Sequence, residues 1–369
     1  MEITKVKKYT YFIGIDVSRN KLDHAVFRGR DMLFHRETGN DPESIMAFIM
    51  ELKQLPGFVM TRAVFCMEQT GIYTNHLLGR LKTVKANVVI DGPLQIRNSL
   101  GQIRGKTDKL DAKRIAEYAY KNREHLRLWI PKRPVILQLA NLSALRNRLV
   151  ILEGSIAIPL KEEGDFNKKG TVKMSKQLSS RTQKAIKADI LDVEKTIARL
   201  IAADQRLARL SEIMNSVVGI GPVITTQIIV CTNEFRDIKD PKKFACYSGV
   251  APFMQVSGTM KGKTRVSQFA NKRMKALLHL AAIQAMRNIP ELRAYYERKT
   301  VQEGKHKMSV INALRYKMIL RIFACVNQDR LYEKEYVRKQ QPEALLTAPE
   351  ITELADSIMA DALSNGIEE

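Results

Sequence analysis

The stretch YFIGIDVSRNKLDHAVF, residues 11–27, decides the fold of the N-terminal part of the chain. Residues 11–16 are a short apolar run that ends on the carboxylate of Asp16, residues 16–21 favour a turn, and residues 22–27 resume an extended pattern. This pattern predicts a meander of strands over residues 11–37. Because a carboxylate at the end of a buried strand is costly to desolvate, Asp16 is a candidate site residue.

Five further segments have the periodicity of regular elements: residues 41–55, 73–82 and 108–121 as helices, and residues 61–67 and 86–90 as strands. Strands followed by alternating helices and strands predict a mixed α/β sheet with an antiparallel side.

The second half of the chain is predicted to be mainly helical. Apolar spacing indicates long helices over residues 134–158 and 182–214, joined by a polar loop over 162–180. Such a helical hairpin or coiled coil is a common meeting place for subunits, and packing on a neighbouring domain is the alternative. Short helices are expected to follow, among them residues 266–282, and then a helix over 310–326.

Charge indicates the class of partner. The 369 residues include 61 Lys and Arg against 39 Asp and Glu, a net charge of +22. Seven carboxylates and no Lys or Arg lie in residues 340–369, so the rest of the chain carries +29. Such an excess is commonly neutralised by nucleic acid, the alternative being a protein that is merely basic.

Other residue types exclude several classes of protein. The four cysteines form no CxxC pair and the six histidines no ligand-spaced cluster, which argues against a structural zinc or a disulfide framework. The N-terminus runs directly into a strand pattern, so no signal peptide is expected. No apolar run approaches the ~18 residues that span a membrane. The prediction is a cytoplasmic protein without a membrane partner.

Four carboxylates stand where a metal site could form. Asp16 and Glu68 each end an apolar run, and Asp108 and Asp111 share one face of a helix start. Converging carboxylates repel one another, and two Mg²⁺ ions ~3.5–4 Å apart relieve that repulsion and cleave phosphodiesters. The plainer alternatives are a turn former for Asp16 and an ordinary helix start for Asp108. The flanking cations are candidates for phosphate binding: Arg104, Lys106, Lys109, Lys113 and Arg114.

A glycine turn begins the C-terminal part. GIGPVITTQIIV, residues 219–230, places Gly219 and Gly221 between two helical stretches and resembles a helix-hairpin-helix DNA-binding element. Backbone N–H groups of such a turn can point at a phosphate. The motif alone is weak, because glycine turns join helices in many proteins.

A basic segment over residues 242–282 contains Ser257 followed by Gly258. A serine among cations has the character of a phosphodiester nucleophile if a base or metal activates it. From the residues alone, a turn serine beside DNA-contacting lysines is the favoured interpretation. The cations predicted to bind nucleic acid here are Lys261, Lys263, Arg265, Lys272 and Arg273.

The segments GIDVSRNKLD, MEQTGIY and KTDKLDA resemble the three motifs of the Asp-Glu-Asp-Asp domain of insertion-sequence transposases of the IS110 family, whose relatives include Piv-type DNA invertases. That domain is similar to the Holliday-junction resolvase RuvC, an α/β ribonuclease H-like fold. The resemblance places Asp16, Glu68, Asp108 and Asp111 on the four carboxylates that bind Mg²⁺ or Mn²⁺.

The segment 242–282 resembles the C-terminal domain of the same family, in which a serine before glycine is the proposed nucleophile. The resemblance therefore implies that role for Ser257. Ser248 and Ser267 are weaker candidates, and the family pattern does not support Tyr247 as a nucleophile of the tyrosine-recombinase kind.

Four domains are expected: a RuvC-like domain over 8–130, a helical hairpin or coiled coil over 131–213, a mainly α transposase domain with a helix-hairpin-helix-like start over 214–330, and a tail over 331–369.

The resemblance implies a DNA transposase or recombinase that excises and inserts a mobile element by metal-assisted strand cleavage and serine-linked strand exchange. It implies double-stranded DNA as partner, a homodimer or homotetramer, action at the bacterial nucleoid and, in some members, a structured bridge RNA as guide. The alternatives are a hydrolytic Holliday-junction resolvase-like nuclease and a non-catalytic nucleic-acid-binding scaffold.

Overall fold

The structure is a computed structural model that describes residues 9–99, 107–166, 169–254, 256–257, 260–262 and 265–333. The chain divides into two compact units, Met1–Gln138 and Leu139–Glu369. The finer division into four domains stays a prediction. Three residues predicted to bind nucleic acid, Arg104, Lys106 and Lys263, lie outside the described residues, and so does the acidic segment 340–369.

The first unit is built on one five-stranded sheet. Its strands are β1 (Tyr11–Val17), β2 (Lys21–Arg28), β3 (Asp31–Gly39), β4 (Ala63–Glu68) and β5 (Asn87–Asp91), in the order β3-β2-β1-β4-β5. The first three strands form an antiparallel meander, and β4 and β5 continue the sheet parallel to β1.

Four helices cover the sheet: α1 (Pro42–Lys53), α2 (Asn75–Thr83), α3 (Pro93–Ser99) and α4 (Asp108–Lys121). One core joins a face of the sheet to α1 and α2, and a second core joins the opposite face to α4. Strand alternation separates the two faces, since Ile13 and Ile15 point to the first core and Phe12 to the second. A mixed sheet of this topology with helices on both faces confirms the predicted α/β ribonuclease H-like, RuvC-like fold.

Gly14 is the point of closest approach between the sheet and α4. A Cβ at this position would lie 2.2 Å from both the backbone oxygen of Ala112 and the backbone nitrogen of Ala116. Only a residue without a side chain permits this approach, which also fixes the first turn of α4 relative to β1.

The second unit is mainly helical, as predicted. Its helices are α5 (Pro134–Phe166), which begins in the last residues of the first unit, α6 (Lys169–Ala202), α7 (Gln205–Ser216), α8 (Pro222–Thr232), α9 (Pro241–Tyr247), α10 (Lys272–Asn288), α11 (Pro290–Glu297) and α12 (Lys307–Asn327). Two short two-stranded ladders precede α10: β6 (Pro252–Phe253) with β9 (Arg265–Val266), and β7 (Val256–Ser257) with β8 (Met260–Lys261).

The helices α5 and α6 form the predicted hairpin. Arg146 pairs with Glu194 at 2.7 Å, and Glu153 with Lys187 at 3.5 Å. Because the partner's number falls as the residue number rises, the two helices run antiparallel.

The predicted loop over residues 162–180 is wrong, since α5 extends to Phe166 and α6 begins at Lys169. Nine of its nineteen residues are Lys, Glu, Gln, Met or Leu, which are good helix formers, and it contains no proline, so helix propensity outweighs its two glycines.

Two further boundaries differ from the prediction. The expected helix over 182–214 is two helices, because Asp204 leaves the helical conformation and its side chain accepts a hydrogen bond from the Leu207 N–H as the N-cap of α7. The expected helix over 266–282 begins only at Lys272, where Asn271 caps α10 in the same way, and residues 265–266 are a strand.

One described helix, over Pro134–Gly164 within α5, is long and apolar enough to cross a membrane by length and composition. No membrane-spanning run was expected from the sequence, because Arg146, Arg148 and Glu153 interrupt the apolar residues of this helix. Two of these charges pair with α6, which is the arrangement of a helix that packs on another helix.

The substitution Gly14→Ala should destabilise the first unit by about 3 kcal/mol, because the new methyl group meets α4 backbone that cannot move aside. The single tryptophan, Trp129, packs on the core of this unit, so its fluorescence during urea unfolding measures the effect. Gly79 lies inside α2 with nothing within 4 Å of its Cβ position, so Gly79→Ala should stabilise by about 0.5–1 kcal/mol. Equal effects of the two substitutions would contradict the proposed close packing.

Candidate active site

Acidic residues end the three parallel strands of the first unit. Asp16 is the penultimate residue of β1, Glu68 the last of β4 and Asp91 the last of β5. In the register of β1 with β4, Ile15 pairs with Met67, so Asp16 and Glu68 are the next positions on neighbouring strands. Their backbones are therefore about 5 Å apart. The structure thus brings two of the four predicted carboxylates to one edge of the sheet.

Asp23 is a buried carboxylate of this edge that the sequence analysis missed. It lies directly opposite Asp16 in the β1–β2 pairing, on the sheet face that packs against α4, and is only 3% exposed. His35 Nε2 lies 2.8 Å from its Oδ1. The signal was the hairpin itself, since Asp16 and Asp23 are each two residues from the turn at 18–21 and therefore face each other.

The first turn of α4 carries the other two predicted carboxylates. Thr107 caps the helix by accepting a hydrogen bond from the Leu110 N–H. Asp111 is bound by Arg114, whose Nη1 lies 2.8 Å from its Oδ1. Acids in a first turn also stabilise a helix through its dipole, so the plainer role suggested for Asp108 is fulfilled as well.

Lys21 forms ion pairs with three of the surrounding acids. Its Nζ lies 3.0 Å from Asp108, 3.0 Å from Glu37 and 3.2 Å from Asp23. Hydrogen bonds to Asp108, Glu37 and Asp23 raise the pKa of Lys21 above its ordinary value. A single ammonium group thus links β2, β3 and α4 at the acidic edge.

Asp16 is held among like charges. Burial, followed by the negative charges of Asp108, Asp111 and Asp23, raises the pKa of Asp16 from 3.8 to about 6. The close packing of α4 on β1 at Gly14 brings the α4 acids near enough for their charges to act on Asp16.

The chemistry of these oxygen donors fits a hard divalent cation, and a cation would relieve the repulsion at Asp16. In the described part of the chain, however, no three His, Cys, Asp or Glu side chains lie close enough to share one metal ion. Lys21 instead bonds to Asp108, so metal binding requires that the ammonium group leave this carboxylate.

The three described cations in the first turns of α4 differ in whether an acid lies close to them. Lys109 is exposed, Lys113 lies 3.9 Å from Glu117 and Arg114 holds Asp111. Lys109 therefore has the greatest freedom of the three to reach a phosphate.

In the second unit, Ser257 ends β7 and pairs with Met260 of β8. The other predicted nucleophiles are poorly suited. Tyr247 donates to Cys231 Sγ at 3.3 Å and accepts from Asn271 at 2.8 Å, and burial raises its pKa. The buried Ser248 hydroxyl donates to the Phe244 carbonyl oxygen.

Of the other residues predicted to bind nucleic acid, some are engaged in packing or hydrogen bonds within the protein and others are exposed. A Cβ at Gly219 would lie 2.6 Å from the Ala281 oxygen, so this glycine serves packing against α10, whereas the Cβ position of Gly221, the N-cap of α8, is open. Arg273 donates to the Ser143 carbonyl at 3.0 Å, while Arg265 and Lys272 are exposed. Lys261 belongs to β8.

Two family models match this chain. A model described as Transposase, of the Asp-Glu-Asp-Asp type, matches residues 13–152, which include all four predicted carboxylates. A model described as Transposase IS116/IS110/IS902 family matches residues 211–297, which include Ser257.

Similar proteins are known from bacteria. The pilin gene-inverting protein of Moraxella bovis is 26% identical over 334 residues, covering 88% of this chain and 98% of that protein. An insertion element IS116 protein of Streptomyces clavuligerus is 26% identical over 148 residues, covering 40% of this chain and 36% of that protein.

Among solved structures, Thermus thermophilus RuvC matches 32% of this chain and 99% of its own, with 14% identity and a TM-score of 0.26. The same protein in complex with a Holliday junction substrate matches 33% of this chain and 100% of its own, with 15% identity and a TM-score of 0.26.

The substitution Asp16→Asn should stabilise the protein in EDTA. A carboxyl whose pKa is raised from 3.8 to about 6 on folding destabilises the folded state once it is ionised, so the gain is full above pH 6 and vanishes below pH 3.8. Because Asp16 is partly open to solvent, we expect a gain on the order of 1 kcal/mol at pH 7.5.

Urea unfolding followed by Trp129 fluorescence at pH 7.5 and pH 4 measures this difference. Asp31→Asn, at the exposed β2–β3 turn, is the matched control and should change stability little. A loss of stability at pH 7.5 in Asp16→Asn would show that the acids do not converge.

Proposed function

The chain belongs to the IS116/IS110/IS902 family of transposases, and on that premise we propose that it excises and inserts a mobile element by metal-assisted DNA cleavage and serine-linked strand exchange. The observation that carries the proposal is the position of Asp16 at the edge of the sheet, beside Glu68 on one neighbouring strand and opposite Asp23 on the other. A cluster of mutually repelling acids is costly to a fold and is typical of a site that holds cations.

We assign Asp16, Glu68, Asp108 and Asp111 as the residues that would hold Mg²⁺ or Mn²⁺. When bound, such a metal polarises a phosphate and stabilises charge on the departing oxygen. Lys21 would then release Asp108 and keep its bonds to Asp23 and Glu37, which hold the ammonium group near the site.

Ser257 carries the proposed chemistry. Its Oγ forms a bond to the phosphorus of a DNA phosphodiester and loses its proton, while the bond to the 3′ oxygen breaks and that oxygen takes up a proton. A 3′ hydroxyl of the exchanged strand then attacks the phosphoserine and releases Ser257. One ester bond is formed for each one broken, so no nucleotide cofactor is needed.

The four assigned carboxylates belong to Met1–Gln138, whereas Ser257 belongs to Leu139–Glu369. We propose that Ser257 is supplied by another copy of the chain in a homodimer or homotetramer. The α5–α6 hairpin supports such an assembly, because it exposes large apolar side chains that subunit contact would cover: Ile151, Leu152, Ile158, Phe166, Met174, Leu178 and Leu191.

Double-stranded DNA is the proposed partner, and the charge of +29 outside the acidic segment supports it. We extend the proposal to a structured bridge RNA that selects donor and target by base pairing. Part of the charge of +29 would then bind RNA. The proposed location is the bacterial cytoplasm, at the nucleoid.

Wild-type protein incubated with its native flanking DNA and Mg²⁺ should yield an SDS-resistant protein–DNA adduct, which gel electrophoresis detects. Ser257→Ala should abolish the adduct because the phosphoserine cannot form, and Asp16→Ala should do so because the metal site is lost. Ser267→Ala is the matched control and should retain the adduct.

Other outcomes identify the alternatives. Cleavage without an adduct, unchanged in Ser257→Ala and lost in Asp16→Ala, would indicate a hydrolytic junction resolvase. DNA binding without Mg²⁺-dependent chemistry in any variant would indicate a non-catalytic scaffold.

Mg²⁺ or Mn²⁺ should raise the midpoint of thermal unfolding of the wild-type protein, because a ligand that binds only the folded state stabilises it by about 2.7 kcal/mol at a hundred times its Kd. Asp16→Asn should lose this response while keeping the stability gained in EDTA. Differential scanning calorimetry with each metal gives the measurement, and Ca²⁺ and Na⁺ at equal ionic strength separate specific binding from screening. An identical response in both proteins would remove Asp16 from the metal site.

A further inference from the structure

A cationic cavity of about 770 Å³ lies within the second unit, beside the β6–β9 ladder. Its wall includes three cations, Arg265, Lys275 and Arg315, together with the polar residues Asn312 and Tyr316. No Asp or Glu is among its described lining residues. A cavity with several positive charges and no negative one is complementary to an anion.

Arg315 on α12 is the most buried of these cations, with 5% exposure. Its Nη1 donates to Asn312 Oδ1 at 3.2 Å, and its Nη2 lies 2.8 Å from His279 Nδ1. Because a guanidinium can only donate, His279 Nδ1 is the acceptor and neutral His279 carries its proton on Nε2. The Arg315 Nε atom is buried and has no hydrogen-bond partner among the described residues. Neither partner of this guanidinium is charged, so its positive charge is uncompensated within the described structure.

The backbone positions Lys275 toward the same cavity. Gly249 has a φ of +66°, and its Cβ position lies 3.6 Å from Lys275 Cδ, so the lysine stem passes over a residue that has no side chain. Asn312, which binds Arg315, is itself fixed by a hydrogen bond to the Val250 oxygen at 2.7 Å. The turn at 249–250 thus orients both cations.

The pKa values of the basic groups around the cavity are lowered, as expected where a counter-ion is missing. Burial, and then the charge of Arg315, lowers the pKa of both Lys275 and His279, and burial lowers the pKa of Arg315 itself. No carboxylate of the described residues lies within ion-pair distance of Lys275 or Arg315, whereas buried charges are generally paired.

We propose that this cavity binds a phosphate of the DNA strand that Ser257 joins, next to the phosphate that is attacked. Phe253 of β6, in the ladder at the cavity, precedes Ser257 by four residues, a reach of at most about 14 Å. Lys275 supplies a point charge, and Arg315 offers the N–H of its unpartnered Nε. The assignment rests on the proposed strand exchange, because that reaction identifies the anion as a DNA phosphodiester.

The experiment compares full-length wild type with Lys275→Gln, using fluorescence anisotropy on duplex carrying the native flanking DNA over a series of salt concentrations. Loss of one phosphate contact should reduce the slope of log K against log salt by about 0.9 and weaken binding roughly tenfold. Arg287→Gln, on the exposed part of α10, removes the same charge outside the cavity and should change the slope little. Arg315→Lys keeps the positive charge but lacks the guanidinium group. Its DNA affinity should lie between those of wild type and Lys275→Gln, provided that its thermal unfolding midpoint is preserved.

A methylphosphonate scan of the same duplex then locates the contact. One neutral linkage near the joining position should weaken DNA binding by the wild type. The same linkage should not weaken binding by Lys275→Gln any further, because this variant already lacks the contact between Lys275 and the phosphate. The proposal is overturned if no linkage is coupled to Lys275, or if Arg287→Gln has the same effect as Lys275→Gln. It is also overturned if only RNA binding responds, or if inorganic phosphate stabilises the wild type while DNA binding is unaffected.

The two proposals fail separately, because binding needs neither adduct nor metal. A reduced salt slope in Lys275→Gln without a wild-type adduct would retain the cavity as a DNA site and reject serine chemistry. A serine adduct with an unchanged slope would reject the cavity alone.

Discussion

The close packing of α4 on β1 at Gly14 is the contact on which the candidate site depends. With no side chain at this position, the helix backbone meets the strand directly, and the first turn of α4 reaches the end of β1. Asp108 and Asp111 therefore come within electrostatic range of Asp16, which strand pairing has already placed beside Glu68 and opposite Asp23. A wider helix–sheet spacing would keep every element of the fold and disperse the acids.

The two units carry charge clusters of opposite sign. The first gathers carboxylates and relieves part of their repulsion with Lys21, whose ammonium group bonds to three of them. The second collects Lys275 and Arg315 around a cavity without a described acid. The proposed partner, nucleic acid with bound divalent metal, would supply both missing charges, since its phosphates suit the cations and its metal ions suit the carboxylates.

Much of this arrangement could be predicted from local patterns. The apolar run, the turn and the extended run in residues 11–27 predicted the meander. The family resemblance of the three N-terminal motifs is confirmed by one family model, and that of the C-terminal segment by another. Asp23 was missed because it comes next to Asp16 only through the pairing of β2 with β1. The segment 162–180 was wrongly predicted as a loop, because polarity was given more weight than helix propensity. Arg315 could not be found, since its burial and its acceptor His279 arise from the packing of α10 on α12.

The α5–α6 hairpin has a consequence for scale. Helices of 33 and 34 residues at 1.5 Å per residue form an arm about 50 Å long, nearly the length of fifteen base pairs of duplex. If two copies meet through such arms, as proposed above, the arms would hold them at a fixed distance. The spacing between two cut positions would then be measured by the protein's own geometry, even where the choice of sequence is left to base pairing.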